Sequence, residues 1–286
     1  MTASTAWGGG AANLRATMPD IEAGGARLHY ADSGSGAETV VMSHSYLLDH
    51  RHFAPQVEAL GGRYRVLAYD HRDHGASARS AGPYGVEDLY ADAVGFLEAT
   101  GAVPCHWVGL STGGFLGLRL AIRRPELLQS LVVMSAAANP EPRHRRLKYS
   151  LMLTALRWAG FGPVLGGGMK ALFGRSWLRD PERAEERETW RRRITANDRA
   201  ALVRFGRAIF GREGVEPLLA GVRVPTLVMV GEEDGTVGVE RARRTAAAIP
   251  GARFEVVPRA GHLLTLEQPQ AVNRLLDAFL AGARAP

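Results

Sequence analysis

The sequence predicts an α/β fold with a mostly parallel central sheet, helices on both faces and an inserted helical cap. Three observations lead to this prediction. Short apolar runs of strand length alternate with segments of helical periodicity along most of the chain. The alternation stops once, between residues 139 and 216, where helical segments follow one another without a convincing strand. It then resumes, so the cap is expected to interrupt a single fold.

The elements of the core follow in order from hydrophobic periodicity. Apolar runs of strand length lie near residues 27–31, 39–43, 65–69, 105–110, 130–135, 226–231 and 253–257. Apolar residues spaced as on one helix face lie near residues 53–60, 86–99, 112–123, 239–248 and 266–281. Because strands joined by crossover helices pair in parallel, most of the sheet is expected to be parallel.

The chain is therefore divided into three parts. Residues 1–19 are small, glycine-rich and without periodicity, and they lack the basic start and apolar centre of a signal peptide. We expect a disordered leader there. Residues 20–138 and 217–286 form the α/β core, and residues 139–216 form the cap. The cap's apolar residues are expected to divide between its own core and a pocket wall: Leu151, Met152, Leu156, Trp158, Phe161, Leu172, Phe173 and Trp177.

Composition narrows the class of protein. Hydrophobic residues make up 46% of the 286 residues, which is ample for a large core. No stretch approaches the ~18 uninterrupted apolar residues of a membrane span, so no membrane partner is expected. The single cysteine, Cys105, fits a reducing cytoplasm. Because no clustered ligand spacing and no phosphate-loop lysine occur, neither a metal nor a cofactor is expected.

The positive charge is concentrated in the cap. Residues 140–216 hold 17 Lys and Arg against 9 Asp and Glu. Acidic and basic residues interleave at helical pairing distance over 182–193, which favours a solvated face over a nucleic-acid site. No nucleic-acid-binding motif is present, so no such partner is expected. A basic group where the chain enters the cap either steers an anionic substrate or is a solvated turn, and we favour the turn: Arg143, Arg145, Arg146 and Lys148.

The segment Gly109-Leu110-Ser111-Thr112-Gly113 indicates a nucleophile. It follows a strand-like run and precedes a helical pattern. Gly-x-Ser-x-Gly between a strand and a helix is typical of a turn so sharp that only glycine fits two residues before and after the serine. Such a turn holds the Ser111 hydroxyl at the top of the sheet in strained backbone geometry.

Ser111 needs a base, and the base needs an acid to orient it. His262 follows the strand at 253–257, and the acid is expected after the strand at 226–231, where an open α/β sheet binds its ligands. Glu232, Glu233 and Asp234 compete for that role. We choose Asp234. The glycines at 231 and 235 mark the start and the end of the turn, which is expected to place the short aspartate side chain deepest in the loop.

Five segments together resemble the α/β-hydrolase superfamily over residues 20–281. They are the strand and loop at 39–46, the Tyr-Asp-His-Arg-Asp-His-Gly-Ala-Ser loop at 69–77, the turn at 109–113, the Gly-Glu-Glu-Asp loop at 231–234 and the Gly-His-x-x-x-x-Glu-x-Pro segment at 261–269. The resemblance implies that the cap closes over the nucleophile and supplies most of the pocket wall.

The resemblance also implies an oxyanion hole made by the backbone N–H groups of Tyr46 and Thr112. Two positions depart from the family pattern. Ser45 stands where glycine is usual, so it either adopts the same conformation at some cost or donates from its own hydroxyl. Asp73 also replaces a usual glycine, and because aspartate tolerates left-handed geometry the turn is expected to survive.

These residues predict a serine hydrolase that cleaves a small carboxylic ester or lactone through an acyl-enzyme intermediate. The same residues could cleave carbon–carbon bonds or form peracids. A non-enzymatic receptor for a small molecule is the alternative of another class, because a fold does not fix a function. Haloalkane dehalogenation and epoxide opening are excluded, since relatives with those activities carry aspartate at the position of Ser111. The sequence leaves the substrate and the oligomeric state open.

Overall fold

An eight-stranded sheet organises the molecule, for which a computed structural model describes residues 17–34 and 36–283. Its strands are β1 (Asp20–Ala23), β2 (Ala26–Asp32), β3 (Thr39–Ser43), β4 (Arg65–Tyr69), β5 (Cys105–Leu110), β6 (Leu128–Met134), β7 (Thr226–Gly231) and β8 (Arg253–Val257). The spatial order is β1-β2-β4-β3-β5-β6-β7-β8. β2 pairs antiparallel with β1 and β4, and all other neighbours are parallel. The predicted fold class is confirmed.

Eleven α-helices connect and cover the strands in the described residues. Those of the core are α1 (Ala54–Leu60), α2 (Val86–Thr100), α3 (Thr112–Arg123), α9 (Val239–Ala247), α10 (Leu264–Glu267) and α11 (Pro269–Gly282). Those between β6 and β7 are α4 (Arg143–Ala159), α5 (Gly162–Leu172), α6 (Arg175–Arg179), α7 (Ala184–Thr195) and α8 (Arg199–Phe210). Among the described helices, none combines the length and the apolar composition needed to cross a membrane.

Residues 143–210, here called the helical insertion, contain no strand, and every one of them is described. This matches the pattern from which the cap was predicted, although the division into core and cap stays a prediction. Short 3₁₀ turns at His50–Phe53, Pro125–Leu127, Pro181–Arg183 and Glu216–Gly221 complete the secondary structure.

Two apolar clusters cover the two faces of the sheet. Successive residues of β3 point to opposite faces, so that Val41 belongs to one cluster and Val40 and Met42 to the other. Helices α2, α3 and α9 cover the first face through buried residues of one cluster: Leu89, Phe96, Leu116, Leu120, Ala242 and Ala246. Helices α1 and α11 cover the second face through buried residues of the other cluster: Val57, Leu60, Leu276 and Phe279. Fully buried Cys105 lies within β5, as predicted.

The strand register brings the predicted site together at one edge of the sheet. Ser43, the last residue of β3, pairs with Gly109 in β5, and Leu110 pairs with Met134. Gly231, at the end of β7, pairs with Val257 at the end of β8. The loops that follow β3, β5, β7 and β8 therefore leave the sheet at the same carboxyl edge.

Among the strands and α-helices of the core, three differences from the prediction exceed a shift of one residue at an element's end. The predicted strand at 130–135 begins two residues earlier and ends one residue earlier, at Leu128–Met134. The predicted helix at 266–281 is two helices, because Pro269 starts a new helix after Gln268. The strand β1 was not predicted, since four residues at the sheet edge carry too little periodicity.

The predicted leader falls largely outside the described residues, which begin at Thr17. Thr17 forms an isolated antiparallel bridge with Asp32 of β2. The carbonyl of Pro19 accepts a hydrogen bond from the N–H of Tyr30, at 3.1 Å. The last residues assigned to the leader thus lie against the sheet edge.

Asp73 has the left-handed conformation predicted for it, with φ of 66°. Its buried carboxylate accepts hydrogen bonds from the Arg204 guanidinium at 2.8 and 3.0 Å, the Tyr84 hydroxyl at 2.9 Å and the Ser80 N–H at 2.8 Å. Arg204 belongs to α8 of the insertion. The residue that replaces a family glycine therefore joins the insertion to the loop after β4.

Replacing Asp73 with the family's usual residue, Asp73→Gly, should lower the free energy of unfolding by about 2–4 kcal/mol. The substitution relieves the backbone but leaves Arg204 without its buried partner. Urea denaturation measures the change. Glu188→Gln, which removes an exposed ion pair with Arg191, is the control and should stay within ~0.5 kcal/mol of wild type. An Asp73→Gly protein as stable as wild type would show that the contact does not stabilise the fold.

Candidate active site

Ser111 lies in a strained turn between β5 and α3, with φ of 51° and ψ of −101°. A Cβ atom added to Gly109 would lie 2.2 Å from the carbonyl of Gly113, and one added to Gly113 would lie 2.0 Å from the carbonyl of Ser43. The N–H of Ser111 donates to the Met134 carbonyl of β6 at 2.8 Å. Close packing on both sides therefore requires glycine at these two positions and holds the serine in place.

The loop after β3 lies beside this turn. Ser45 is buried, and it is not among the described residues with positive φ, whereas Leu47 is, with φ of 71°. The backbone of Ser45 is therefore not left-handed, so serine at this position does not carry the conformational cost that a glycine would avoid. The Tyr46 hydroxyl donates to the Leu202 carbonyl of α8 at 2.9 Å. Thr112 is the first residue of α3, so its N–H is one of the four that a helix start leaves without an intrahelical acceptor.

The structure brings Asp234 and His262 together. Nδ1 of His262 lies 3.1 Å from Oδ2 and 3.3 Å from Oδ1 of Asp234, and both side chains are buried. Oδ1 of Asp234 also accepts the N–H groups of Thr236 and Val237, at 2.8 and 2.9 Å. Burial alone would raise the pKa of Asp234, but the His262 ring and these hydrogen bonds outweigh it and hold the pKa below its ordinary value.

The two neighbouring carboxylates have other partners. Glu232 is exposed and accepts the N–H of Arg259 at 3.0 Å. Glu233 accepts the N–H and the hydroxyl of Ser176, at 2.7 and 2.5 Å, and so holds α6 of the insertion. Of the three candidate acids, Asp234 is the one that contacts His262.

Glu267 connects the histidine loop to the insertion, a role that the sequence did not reveal although the residue belongs to the Gly-His-x-x-x-x-Glu-x-Pro segment. Its buried Oε2 accepts the N–H of Gly261, beside His262, at 2.9 Å and the N–H of Gly174, in the insertion, at 2.8 Å. Burial raises the pKa of Glu267 to about 7 despite these bonds. One carboxyl group thus fixes both the histidine loop and the adjoining part of the insertion.

Ser111 and His262 line one cavity, with about 660 Å³ of atom-free space that is partly open to solvent. Its lining combines a mostly apolar surface with a few polar groups, as is usual for small-molecule sites. Ser45 and Tyr46 of the loop after β3 also line it, as do two charged residues, Glu141 and Arg212. The insertion supplies a mostly apolar wall of Tyr149, Met152, Gly168, Ala171, Leu172, Ile209 and Phe210.

The predicted division of the cap's apolar residues is partly wrong. Met152 and Leu172 line the cavity, but Leu151 and Trp158 are 63% and 77% exposed on the outside of α4. A second, apolar cavity, with about 380 Å³ of atom-free space that is partly open to solvent, adjoins the first and shares five of its residues: Tyr46, Leu47, Met152, Gly168 and Leu172.

Four buried histidines frame the loop after β3. Nδ1 of His44 lies 2.7 Å from the Ser45 carbonyl, and its Nε2 accepts the N–H of His71 at 2.9 Å. Nε2 of His74 accepts the N–H of Leu47 at 3.3 Å. These bonds require neutral rings, with Nδ1–H as the assigned tautomer of His44. Burial lowers the pKa of His74 and of His52 to about 4, and places those of His44 and His71 well below the ordinary value.

Within the described residues, one group brings metal-ligand atoms together: Asp49, His50 and Asp70, within 4.8 Å of one another. Oδ1 of Asp70 accepts the N–H of His50 at 2.7 Å and contacts its Nδ1 at 2.8 Å, and Oδ2 accepts the N–H of Ala76 at 2.9 Å. Protein groups already use these oxygens, so we assign no metal to them.

Comparison with known proteins agrees with this geometry. The sequence matches the alpha/beta hydrolase fold family over residues 38–269. The chain belongs to this family. It is 30% identical over 253 residues to a Caulobacter sp. (strain K31) protein provisionally named as the carbamate hydrolase RutD, covering 88% of this chain and 93% of that protein.

The structure of the chain is also similar to solved structures of hydrolases. An enol-lactonase from Burkholderia xenovorans LB400 has a TM-score of 0.85 and 27% identity, with 92% of this chain and 100% of that chain covered. A hydrolase from Pseudomonas aeruginosa PA01 has a TM-score of 0.83 and 30% identity, with 95% and 99% covered. The family assignment made from the five sequence segments is therefore confirmed.

The buried histidines predict how the stability of this hydrolase depends on pH. Their folded pKa values lie below the ordinary value of about 6.5, so the unfolded chain binds more protons between pH ~6.5 and ~4. The free energy of unfolding should therefore fall as the pH is lowered through this window, by up to about 3 kcal/mol for each of His52 and His74. Urea denaturation at a series of pH values measures this loss.

Two buried acids act in the opposite direction, because burial raises the pKa of Asp92 to about 6 and that of Glu267 to about 7. Four histidines outnumber them, so the net change remains a loss at low pH. His52→Gln should reduce the slope of stability against pH, whereas substitution of exposed His144 by Gln should not. Stability that is constant or rises from pH 6.5 to 4 would contradict neutral, buried histidines.

Proposed function

We propose that this α/β hydrolase cleaves a small carboxylic ester or lactone through an acyl-enzyme intermediate on Ser111. The observation that carries the proposal is that His262 contacts buried Asp234 and lines the same cavity as Ser111. The enol-lactonase among the similar structures supports an ester-like substrate, and the relative named as a carbamate hydrolase supports attack on an acyl carbon more broadly.

In the proposed reaction, His262 takes the proton of the Ser111 hydroxyl as its oxygen attacks the acyl carbon. Asp234 keeps the Nδ1–H tautomer of the ring and stabilises the imidazolium. The N–H groups of Tyr46 and Thr112 hold the developing oxyanion. His262 then donates its proton to the leaving alcohol. In the second half it takes a proton from water, which attacks the acyl group, and it returns that proton to the Ser111 oxygen as the acid leaves.

Ser111→Ala should lower the turnover of 4-nitrophenyl acetate by about 10³-fold or more, because the members of such a triad act as a unit. Ser135→Ala is a matched control: Ser135 is also buried with positive φ, follows the neighbouring strand and does not line the cavity. It should retain turnover. Full activity in the Ser111→Ala protein would reject Ser111 as the nucleophile, whereas wild type without turnover of any ester would favour a binding protein on the same fold.

Asp234→Asn should fold normally and lose about 10⁴-fold in kcat, because an amide holds the wrong tautomer of His262. Glu232→Gln and Glu233→Gln should each stay within a few-fold, since their carboxylates contact Arg259 and Ser176 instead. Steady-state kinetics on one aryl ester measure all three variants. A larger loss in either glutamate variant than in Asp234→Asn would assign the acid to that glutamate.

A substrate panel separates the reaction classes that share this arrangement. The panel contains an aryl acetate, a lactone, an aryl carbamate and a vinylogous diketone. Relatives that cleave carbon–carbon bonds tend to carry a residue other than leucine, commonly asparagine, before the serine, whereas this chain has Leu110. The ester or lactone should therefore have the higher kcat/KM. A higher value for the diketone would assign carbon–carbon cleavage.

A further inference from the structure

A buried cationic group lines the same cavity as Ser111 and His262. Arg212 follows α8 and is 5% exposed. Its guanidinium carbon lies 3.6 Å from the centroid of the Phe115 ring. Phe115 is four residues after Ser111, one turn farther along α3, and it also lines the cavity. The guanidinium therefore packs on a side chain that starts one helical turn from the proposed nucleophile and lines the same cavity.

The charges around Arg212 do not balance. Its Nη2 donates to Oε1 of Glu141 at 3.2 Å, and Arg241 donates to the same carboxylate at 3.3 and 3.4 Å. Two guanidinium groups thus share one carboxylate, which leaves one net positive charge. Glu141 also lines the cavity, but both arginines already use its carboxylate, so it does not cancel both of their charges.

The hydrogen bonds of Arg212 leave donors for a ligand. Nη1 donates to the Ile209 carbonyl at 2.9 Å, and Nη2 contacts the Asn139 carbonyl at 3.5 Å as well as Glu141. A guanidinium has five N–H groups, and the bonds described for Arg212 do not use Nε. Burial, with a smaller contribution from the nearby Arg241 and Arg119, lowers the pKa of Arg212 to about 10, although Glu141 acts to raise it. An anion at this position would relieve the uncompensated charge.

We propose that Arg212 binds a carboxylate of the substrate while the scissile carbonyl lies at Ser111. This rests on the proposed function and narrows its substrate class to esters or lactones that carry a free carboxylate. The surrounding apolar wall of Phe115, Tyr149 and Phe210 limits solvent screening, so a charge-assisted bond there is stronger than one at the surface. The exposed basic residues Arg143, Arg146 and Lys148 are not among the cavity's lining residues.

Two matched substrate pairs test the proposal. The first pair is 4-nitrophenyl hydrogen adipate and its neutral amide, 4-nitrophenyl adipamate, in which the charge lies on the acyl side. The second is 4-acetoxybenzoate and 4-acetoxybenzamide, in which it lies on the leaving group. Wild type should show a higher kcat/KM for the charged member of at least one pair. That preference should fall about 10- to 100-fold in Arg212→Met, the range of a charge-assisted hydrogen bond.

The controls separate loss of the site from loss of the fold. Arg146→Met removes the same charge from an exposed position of α4 and should keep the wild-type preference. Arg212→Met leaves Glu141 paired with Arg241, and circular dichroism checks that it folds. Arg212→Lys keeps the charge but loses the planar guanidinium, so it should retain part of the preference for the charged substrate. It replaces Arg212→Met as the test variant if that protein does not fold.

A binding measurement distinguishes failure of this proposal from failure of the proposed function. Calorimetric titration of the Ser111→Ala protein compares the adipamate anion with neutral adipamide, and neither ligand needs to be hydrolysed. Tighter binding of adipamate that is lost on adding Arg212→Met supports the site even if no ester is turned over. Equal binding of the two ligands, or an anion preference unchanged by Arg212→Met, would overturn the proposal while leaving ester hydrolysis intact.

Discussion

The strained backbone at Ser111 is the constraint on which the rest of the site depends. A non-glycine residue at φ of 51° and ψ of −101° costs of order 1–3 kcal/mol and persists only where its surroundings impose it. Here they do so by close packing, because Gly109 and Gly113 leave no room for a Cβ atom, and by the bond from Ser111 to Met134. The central strands and α3 thus fix the position of one hydroxyl group.

Carboxylates beside the proposed catalytic residues join the helical insertion to the core. Glu233, next to Asp234, holds Ser176 at the start of α6, and Glu267, which bonds the residue before His262, holds Gly174. Asp73 holds Arg204 of α8. The loops that position the proposed acid and base are therefore the loops that position the cavity wall, so a displacement of the insertion is expected to disturb the chemistry as well as the fit of the substrate.

Local sequence signals predicted the sheet and the strand-end loops, because hydrophobic periodicity and glycine-bounded turns are encoded within a few residues. The placement of Asp234 as the buried carboxylate of its loop followed from the glycines around it. The sequence could not reveal the Arg212–Glu141–Arg241 group, whose members lie 71 and 100 residues apart and meet only in the folded chain. Nor could it show that Leu151 and Trp158 lie on the outer face of α4, because an apolar residue in a helix does not specify what it packs against.

The central claim is that Ser111 is activated by His262 for covalent attack. The most direct test is mass spectrometry after reaction with a fluorophosphonate, with the modified peptide sequenced. The account predicts one added phosphonyl group, located on Ser111, and much slower labelling of the Asp234→Asn protein. Ser45 lines the same cavity and is the internal control. Labelling of Ser45 or of another serine, or no labelling of the folded protein, would contradict the account.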